Sequence, residues 1–497
     1  MSASPEIAAF RATYQAGQPQ LVWAQSVSDL ETPVSAYLKL AQSRPNSFLL
    51  ESVEGGATRA RYSIIGLAPD LVFRVQGDQA ELKFSDGPFR AMAEKPLDAL
   101  RRIERESRLE IPDHLPPMAA GLVGYLAYDM VRQIERIPRM KPDKLGLPSA
   151  LLLRPTLMAI FDNISDTLTL VTPVRPADGV SADDAWHAAQ ARLESALDAL
   201  ARPLPPQPPA AAPSELPPAE SNFTPEGFRA AVEKAKEYIA AGDAFQVVPS
   251  QRFRVNFTLP AFSLYRSLRR LNPSPFLFHL DFGGFAVVGS SPEILVRVRA
   301  GQVTIRPLAG TRRRGATYEE DQALERDLLS DPKERAEHLM LLDLGRNDVG
   351  RVAEVGSVRV TEQFVIERFS HVMHISSNVE GKLRADRDAI DALMAGFPAG
   401  TLSGAPKVRA MEIIEELEPE QRGIYAGCIG YFAANGEMDT CIGLRTAVVK
   451  DGVMYVQAGG GVVADSDPEA EFQETVMKAR ALMRAAEEAV KFASNRG

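Results

Sequence analysis

Twenty residues from Arg202 to Ser221, RPLPPQPPAAAPSELPPAES, carry eight prolines and divide the chain. Proline fixes φ and lacks the N–H that a helix interior or a central strand needs, so this stretch can form neither. It reads as a linker, 202–221, between an N-terminal region 1–201 and a longer region 222–497. A chain of 497 residues can build two or three ordinary cores or one large two-part unit. Apolar residues make up 45% of it and charged residues 24%, the balance of a soluble globular protein. The net charge of −9, with no basic run beyond Arg312-Arg313-Arg314, argues against nucleic acid as a partner. Two cysteines, Cys428 and Cys441, are too few for a disulfide framework or a Cys-rich zinc site. No export signal follows Met1 and no run of about 18 apolar residues occurs, so a cytoplasmic location without membrane insertion is expected.

The second region opens on a helix signal, with Thr224 as N-cap, Pro225 at the first helical position and apolar residues at helical spacing before Gly242. Short strands are expected at 245–248, 275–282, 285–289, 295–299, 303–305 and 440–449. Helices are expected at 318–330, 332–344, 389–395, 407–416 and 468–486. Adjacent hairpins interspersed with helices give an α+β fold with antiparallel sheet.

Two Glu-x-x-Glu pairs, Glu334 with Glu337 and Glu471 with Glu474, fall on separate expected helices. Spacing of three places both acids of a pair on one face. Glu337 shares its face with Leu341 and Leu344, and Glu474 shares its face with Met477 and Ala481. A carboxylate in apolar surroundings needs a cation, and oxygen ligands suit Mg²⁺. The alternative is that Asp331 caps its helix with Glu334 as capping-box partner while the other acids are solvated or ion-paired. Gly459-Gly460-Gly461, just upstream of Glu471, can turn backbone N–H groups toward an anion or simply form a tight turn. Neither a dinucleotide fingerprint nor a phosphate loop is present. Arg445, placed by strand alternation on the face of Cys441, Ala447 and Val449, wants a carboxylate from a ligand or from the protein itself.

From about Phe223 to Ala486 the chain resembles the chorismate-utilising enzymes. The resemblance runs through Gly289-Ser290-Ser291-Pro292-Glu293, Arg306 to Thr311, Ala336-Glu337-His338, Asp343 to Asp348, Ser370-His371-Val372, Phe397 to Lys407 and Gln457 to Glu474. Leu49-Leu50-Glu51-Ser52 and Arg61-Tyr62-Ser63 are similar to the N-terminal region of anthranilate synthase large subunits. The resemblance implies a layered α/β/β/α fold with two packed, mainly antiparallel sheets. It implies Glu337 and Glu474 as direct Mg²⁺ ligands, with Glu334 and Glu471 nearby or bound through water. Gly310, Thr311, Tyr425, Arg445, Gly459, Gly460, Gly461 and Lys478 match the chorismate-binding set. Glu293 matches a general acid, Thr401 lies near the reacting ring, and His374 is tied to pyruvate elimination.

Family members differ in product, and two positions bear on the choice. Where isochorismate and salicylate synthases carry a Lys base that activates water, this chain has Gln246, which cannot accept that proton. Where aminodeoxychorismate synthases carry a nucleophilic Lys, it has Ala309. Attack by external ammonia remains, implying anthranilate formation, with aminodeoxychorismate synthesis as the alternative. The cysteines lie outside any Gly-x-Cys-x-Gly elbow, so a glutamine amidotransferase subunit is expected to supply ammonia, in a heterotetramer of two large and two small subunits. Glu51 and Ser52, with Pro275, Phe276 and Leu277, resemble the family's tryptophan pocket and imply feedback inhibition.

Overall fold

Strands contributed from both sides of the proline-rich stretch pair with one another in this computed structural model, which describes residues 6–42, 44–54, 58–59, 61–138, 141–205, 215–369 and 372–494. Ser370 and His371 of the resemblance, and 206–214 of the linker, lie outside those residues. Strand Ser47–Glu51 pairs with Phe276–Asp281, and Gly121–Leu126 pairs with Cys428–Ala433. Among the described residues, 21 strands form one antiparallel hydrogen-bond network.

The alternation of side chains shows how that network makes layers. Along Tyr62–Gln76, Ile64 and Val72 point into a core enclosed between the two halves of the sheet. Ile65 and Leu67 instead face helices Pro33–Ala41, Ala182–Ala201, Ala261–Leu271 and Pro468–Ser494. Further along the same strand, Leu71, Phe73 and Val75 face helices Pro96–Glu106, Pro332–Gly350 and Ala389–Gly396. The strand therefore passes from one layer to the other, with a register shift between Pro69 and Leu71 and Ala68 at φ +49. Ala150–Asp162 runs beside it and changes helical partner in the same way. The arrangement is α/β/β/α, and the two expected sheets are halves of one folded network.

The expected helices are present as Tyr318–Ser330, Pro332–Gly350, Ala389–Gly396, Lys407–Leu417 and Pro468–Ser494. Thr224 caps its helix by accepting from Gly227 N at 3.0 Å. One expectation is corrected. Residues 440–449 are not a single strand, because Met438–Ile442 ends and Thr446–Lys450 begins on either side of a break where Arg445 takes φ +48. Gly443 packs against the Ile424 carbonyl, where a Cβ would lie 2.3 Å away, and this forces the chain out of the sheet. Cys441 consequently faces the enclosed core while Ala447 faces the helices, so Arg445 does not share a face with both.

Candidate active site

Five elements converge on one cleft: paired strands Leu308–Arg313 and Val372–Lys382, the glycine loop after Val453–Gly459, and the N-terminal turns of helices Pro332–Gly350 and Pro468–Ser494. Gly310, at φ +70, brings the backbone so close to the first helix that a Cβ there would lie 3.0 Å from Glu334 Oε2.

Glu293 follows Ala286–Ser291 and is 7% exposed. Thr401 Oγ1 donates to its carboxyl at 3.2 and 3.4 Å, and Leu308 N–H donates at 3.4 Å. Burial outweighs these bonds and the nearby Arg445 charge, pushing Glu293 up to about 8. It is a protonated acid at neutral pH, the state a proton donor needs. Burial lowers His374 to about 4, with Arg445 adding to the effect, so its ring is neutral. Nδ1 lies 2.8 Å from the Gly310 carbonyl, which can only accept, so Nδ1 carries the proton and Nε2 keeps a basic lone pair. Thr311 Oγ1 lies 3.2 Å from the same nitrogen.

Arg445 is partly buried; its carbonyl accepts from Ser290 N–H at 3.1 Å, but among the described residues no hydrogen bond or ion pair engages its guanidinium. Burial lowers its pKa, and the one opposing influence is Glu293, which is itself protonated at neutral pH. Of the two partners the sequence left open, a protein carboxylate is not seen at this guanidinium among the described residues. The Tyr425 hydroxyl lies against Gly459, where a Cβ would come within 2.8 Å of it.

The four glutamates do not share one environment. Glu337 is half-buried and accepts from Gln246 Nε2 at 3.0 Å. Burial, then the charges of Glu334 and Glu474, raises its pKa. Glu471 is raised by burial and by Glu474; it accepts from Ser466 Oγ at 2.8 Å, and its Oε2 is buried without a partner. Glu334 is ion-paired to Arg312 at 2.8 Å, while Asp331 caps the helix. Glu474 corrects an expectation: it is 45% exposed and paired with Lys478 at 2.7 Å, because Met477 on its face is exposed rather than packed. Lys478 also donates to the Gly459 carbonyl at 2.9 Å. Among the described residues no group of three acids or imidazoles is arranged to hold a metal. The donor chemistry nevertheless fits a hard cation, since Glu474 repels both Glu337 and Glu471, and Glu471 keeps a buried oxygen without a partner. Gln246 Oε1 is a second buried acceptor without a partner, and it adjoins Gly461, where a Cβ would lie 2.7 Å from Gln246 Nε2.

Glu51, Ser52, Pro275, Phe276 and Leu277 come together in the lining of a cavity of about 780 Å³, which also reaches Pro292 and Leu308 beside Glu293. Glu51 is held by Arg269 at 2.7 and 2.8 Å and by the Tyr265 hydroxyl. Sequence reasoning passed over Arg312, whose three-arginine run gives no hint that it binds Asp327, Asp331 and Glu334 together. It also missed the Leu308 N–H, which no side-chain pattern encodes.

The sequence matches the family described as chorismate binding enzyme over residues 45–484. It is 59% identical to anthranilate synthase component 1 of Cereibacter sphaeroides, covering 98% of both chains, and 50% identical to that of Pseudomonas aeruginosa, covering 93% of this chain and 94% of that one. The structure superposes on anthranilate synthase component I from Streptococcus pneumoniae with TM-score 0.76, 37% identity and 92% and 99% coverage of the two chains. The menaquinone-specific isochorismate synthase MenF from Escherichia coli, 21% identical with TM-score 0.71 over 95% of each chain, shares the fold. The chain belongs to the chorismate-binding enzyme family. Within that family it groups with the anthranilate synthase component 1 proteins.

Proposed function

We propose that the protein converts chorismate and ammonia to anthranilate and pyruvate, the first committed step of tryptophan biosynthesis, in the cytoplasm. The observation that carries this reading is a buried, protonated Glu293 facing a cleft that also holds a neutral imidazole and an uncommitted guanidinium. Arg445, Tyr425, Thr311 and the Gly459-Gly461 backbone hold the substrate's carboxylates and ether. Glu293 gives its proton to the hydroxyl on ring carbon 4, which leaves as water while ammonia forms the new bond at carbon 2. Gln246 Oε1, fixed because Nε2 is bound to Glu337, accepts an N–H of the incoming ammonia and cannot deprotonate water. His374 Nε2 then takes the proton from carbon 2 as the bond from carbon 3 to the enolpyruvyl oxygen breaks and the ring becomes aromatic, and that proton passes to the methylene carbon of the departing enolpyruvate to give pyruvate. Ala309 presents no amine for a competing attack.

Glu337 and Glu474, with Glu334 and Glu471 close by, would hold Mg²⁺, which when bound neutralises the ring carboxylate. Purified chain with chorismate, Mg²⁺ and ammonium at mildly alkaline pH is expected to make anthranilate, seen by its fluorescence, and EDTA is expected to abolish it. Isochorismate, salicylate or aminodeoxychorismate as the product would overturn the reading of Gln246 and Ala309.

Neither cysteine serves as a glutaminase nucleophile: both are buried, and burial pushes Cys428 up to about 12. A separate glutamine amidotransferase subunit therefore supplies ammonia, two copies of each chain forming a heterotetramer. Tryptophan occupies the cavity beside Ser52, Pro275, Phe276 and Leu277 and weakens chorismate binding from there. Allosteric coupling of this kind is typically about 5–150-fold. Ser52→Arg is expected to raise the tryptophan concentration for half-inhibition by at least about tenfold within that range, with chorismate KM unchanged. Unaltered inhibition would remove Ser52 from the pocket.

A further inference from the structure

Three guanidinia lie near a single carboxylate, which only one of them holds, by the bend where the long strands change layers. Arg154, on Ala150–Asp162, holds both oxygens of Asp70, at 2.7 and 2.9 Å. Arg175, just past Thr167–Val174, spends one Nη on the Ser107 carbonyl at 2.7 Å, and its Nε is buried without a partner. Arg192, on helix Ala182–Ala201, reaches the Thr172 hydroxyl. Among the described residues neither Arg175 nor Arg192 is ion-paired to a carboxylate. Burial, with Arg154 adding to it, pushes Arg175 down to about 10, and burial also lowers Arg192. Arg175, even at about 10, stays charged at neutral pH, and the three guanidinia face one carboxylate.

Arg175 and Arg192 are half-buried; a guanidinium taken part-way out of water without a counter-charge is costly, and its planar fork matches two oxygens of an oxyanion. A carboxylate ligand would cancel only one of the two uncompensated charges, whereas a phosphate dianion cancels both. We infer that Arg154, Arg175 and Arg192 form a binding site for a small phosphate-class oxyanion, supplied as free phosphate or as a phosphate monoester. None of these residues contributes to the chorismate cleft, and the inference stands independently of the proposed reaction.

The test uses the full chain in phosphate- and sulfate-free buffer at constant ionic strength. Inorganic phosphate, glycerol phosphate and chloride are titrated in parallel, followed by calorimetry and by Tm. Wild type is expected to bind one phosphate saturably and to gain Tm, with chloride doing neither. Arg175→Gln and Arg192→Gln are each expected to weaken phosphate by at least about tenfold, the scale of a lost charge-assisted hydrogen bond. Both should match or exceed wild type in Tm without phosphate, because an uncompensated charge has gone, and both should keep chorismate turnover unchanged. Tighter binding of phosphate than of the ester identifies the free ion as the source, and the reverse identifies a phosphorylated metabolite. No saturable binding beyond chloride, or binding undiminished in both variants, overturns the inference.

Discussion

Glu293→Gln is expected to lower kcat by about 10²–10⁴-fold, the usual weight of general acid catalysis, while chorismate KM changes little. The amide keeps the shape and accepts from Thr401 and Leu308 as the acid does, but it has no proton to give. Loss confined to kcat marks a group that acts in the transition state rather than in binding. The pH dependence follows from the same burial. Glu293 is protonated below about 8 and ionises above it, so kcat/KM for chorismate at a fixed concentration of free ammonia should fall as pH rises through about 8. His374, at about 4, stays neutral throughout that window and adds no limb of its own. Steady-state rates at saturating ammonia, wild type against Glu293→Gln, check both parts. A variant retaining a tenth or more of wild-type kcat would remove Glu293 from the role.

Arg445→Met should raise chorismate KM by roughly 30-fold to several thousand-fold, since truncating one partner of a buried, hydrogen-bonded charge pair costs about 2–5 kcal/mol. The same variant should be at least as stable as wild type when no ligand is present. In the free protein the Arg445 guanidinium is desolvated and bonds to no described residue, so an apolar side chain of similar length removes a cost instead of a contact. Affinity and stability are thus expected to move in opposite directions, which a structural arginine would not allow. Equilibrium chorismate binding and thermal unfolding of the ligand-free protein measure the two quantities. A large fall in Tm would mean that Arg445 holds the fold together through a partner it does not show here.

The helices were legible because their apolar periodicity and caps are local, as with Thr224 and Asp331. The break at Gly443 to Arg445 was not, because the alternation of 440–449 is compatible with an unbroken strand and only the approach of the Ile424 carbonyl ends it. The site shows the same division. The resemblance named Glu293, His374 and Gln246, yet no sequence feature reveals that Glu293 is held protonated, which His374 nitrogen carries the hydrogen, or that Gln246 is locked by Glu337. Each depends on a contact spanning tens of residues or more, from His374 to Gly310 and Gln246 to Glu337 out to Glu293 and Thr401. The exposed setting of Glu474 was likewise hidden, since helical spacing gives a shared face but not what covers it.

The interleaving of strands across the linker bears on how the chain is made. Gly121–Leu126 leaves the ribosome about 300 residues before its partner Cys428–Ala433, and Ser47–Glu51 well before Phe276–Asp281. At about 5–20 residues per second the first of these edges waits roughly 15–60 s for its neighbour. During that interval Leu122, Val123 and Tyr125, all buried in the finished fold, are open to wrong pairings with other nascent chains. Yield during rapid overproduction should therefore be limited by aggregation of unfinished N-terminal segments, and slower translation or a chaperone that shelters strand edges should relieve it.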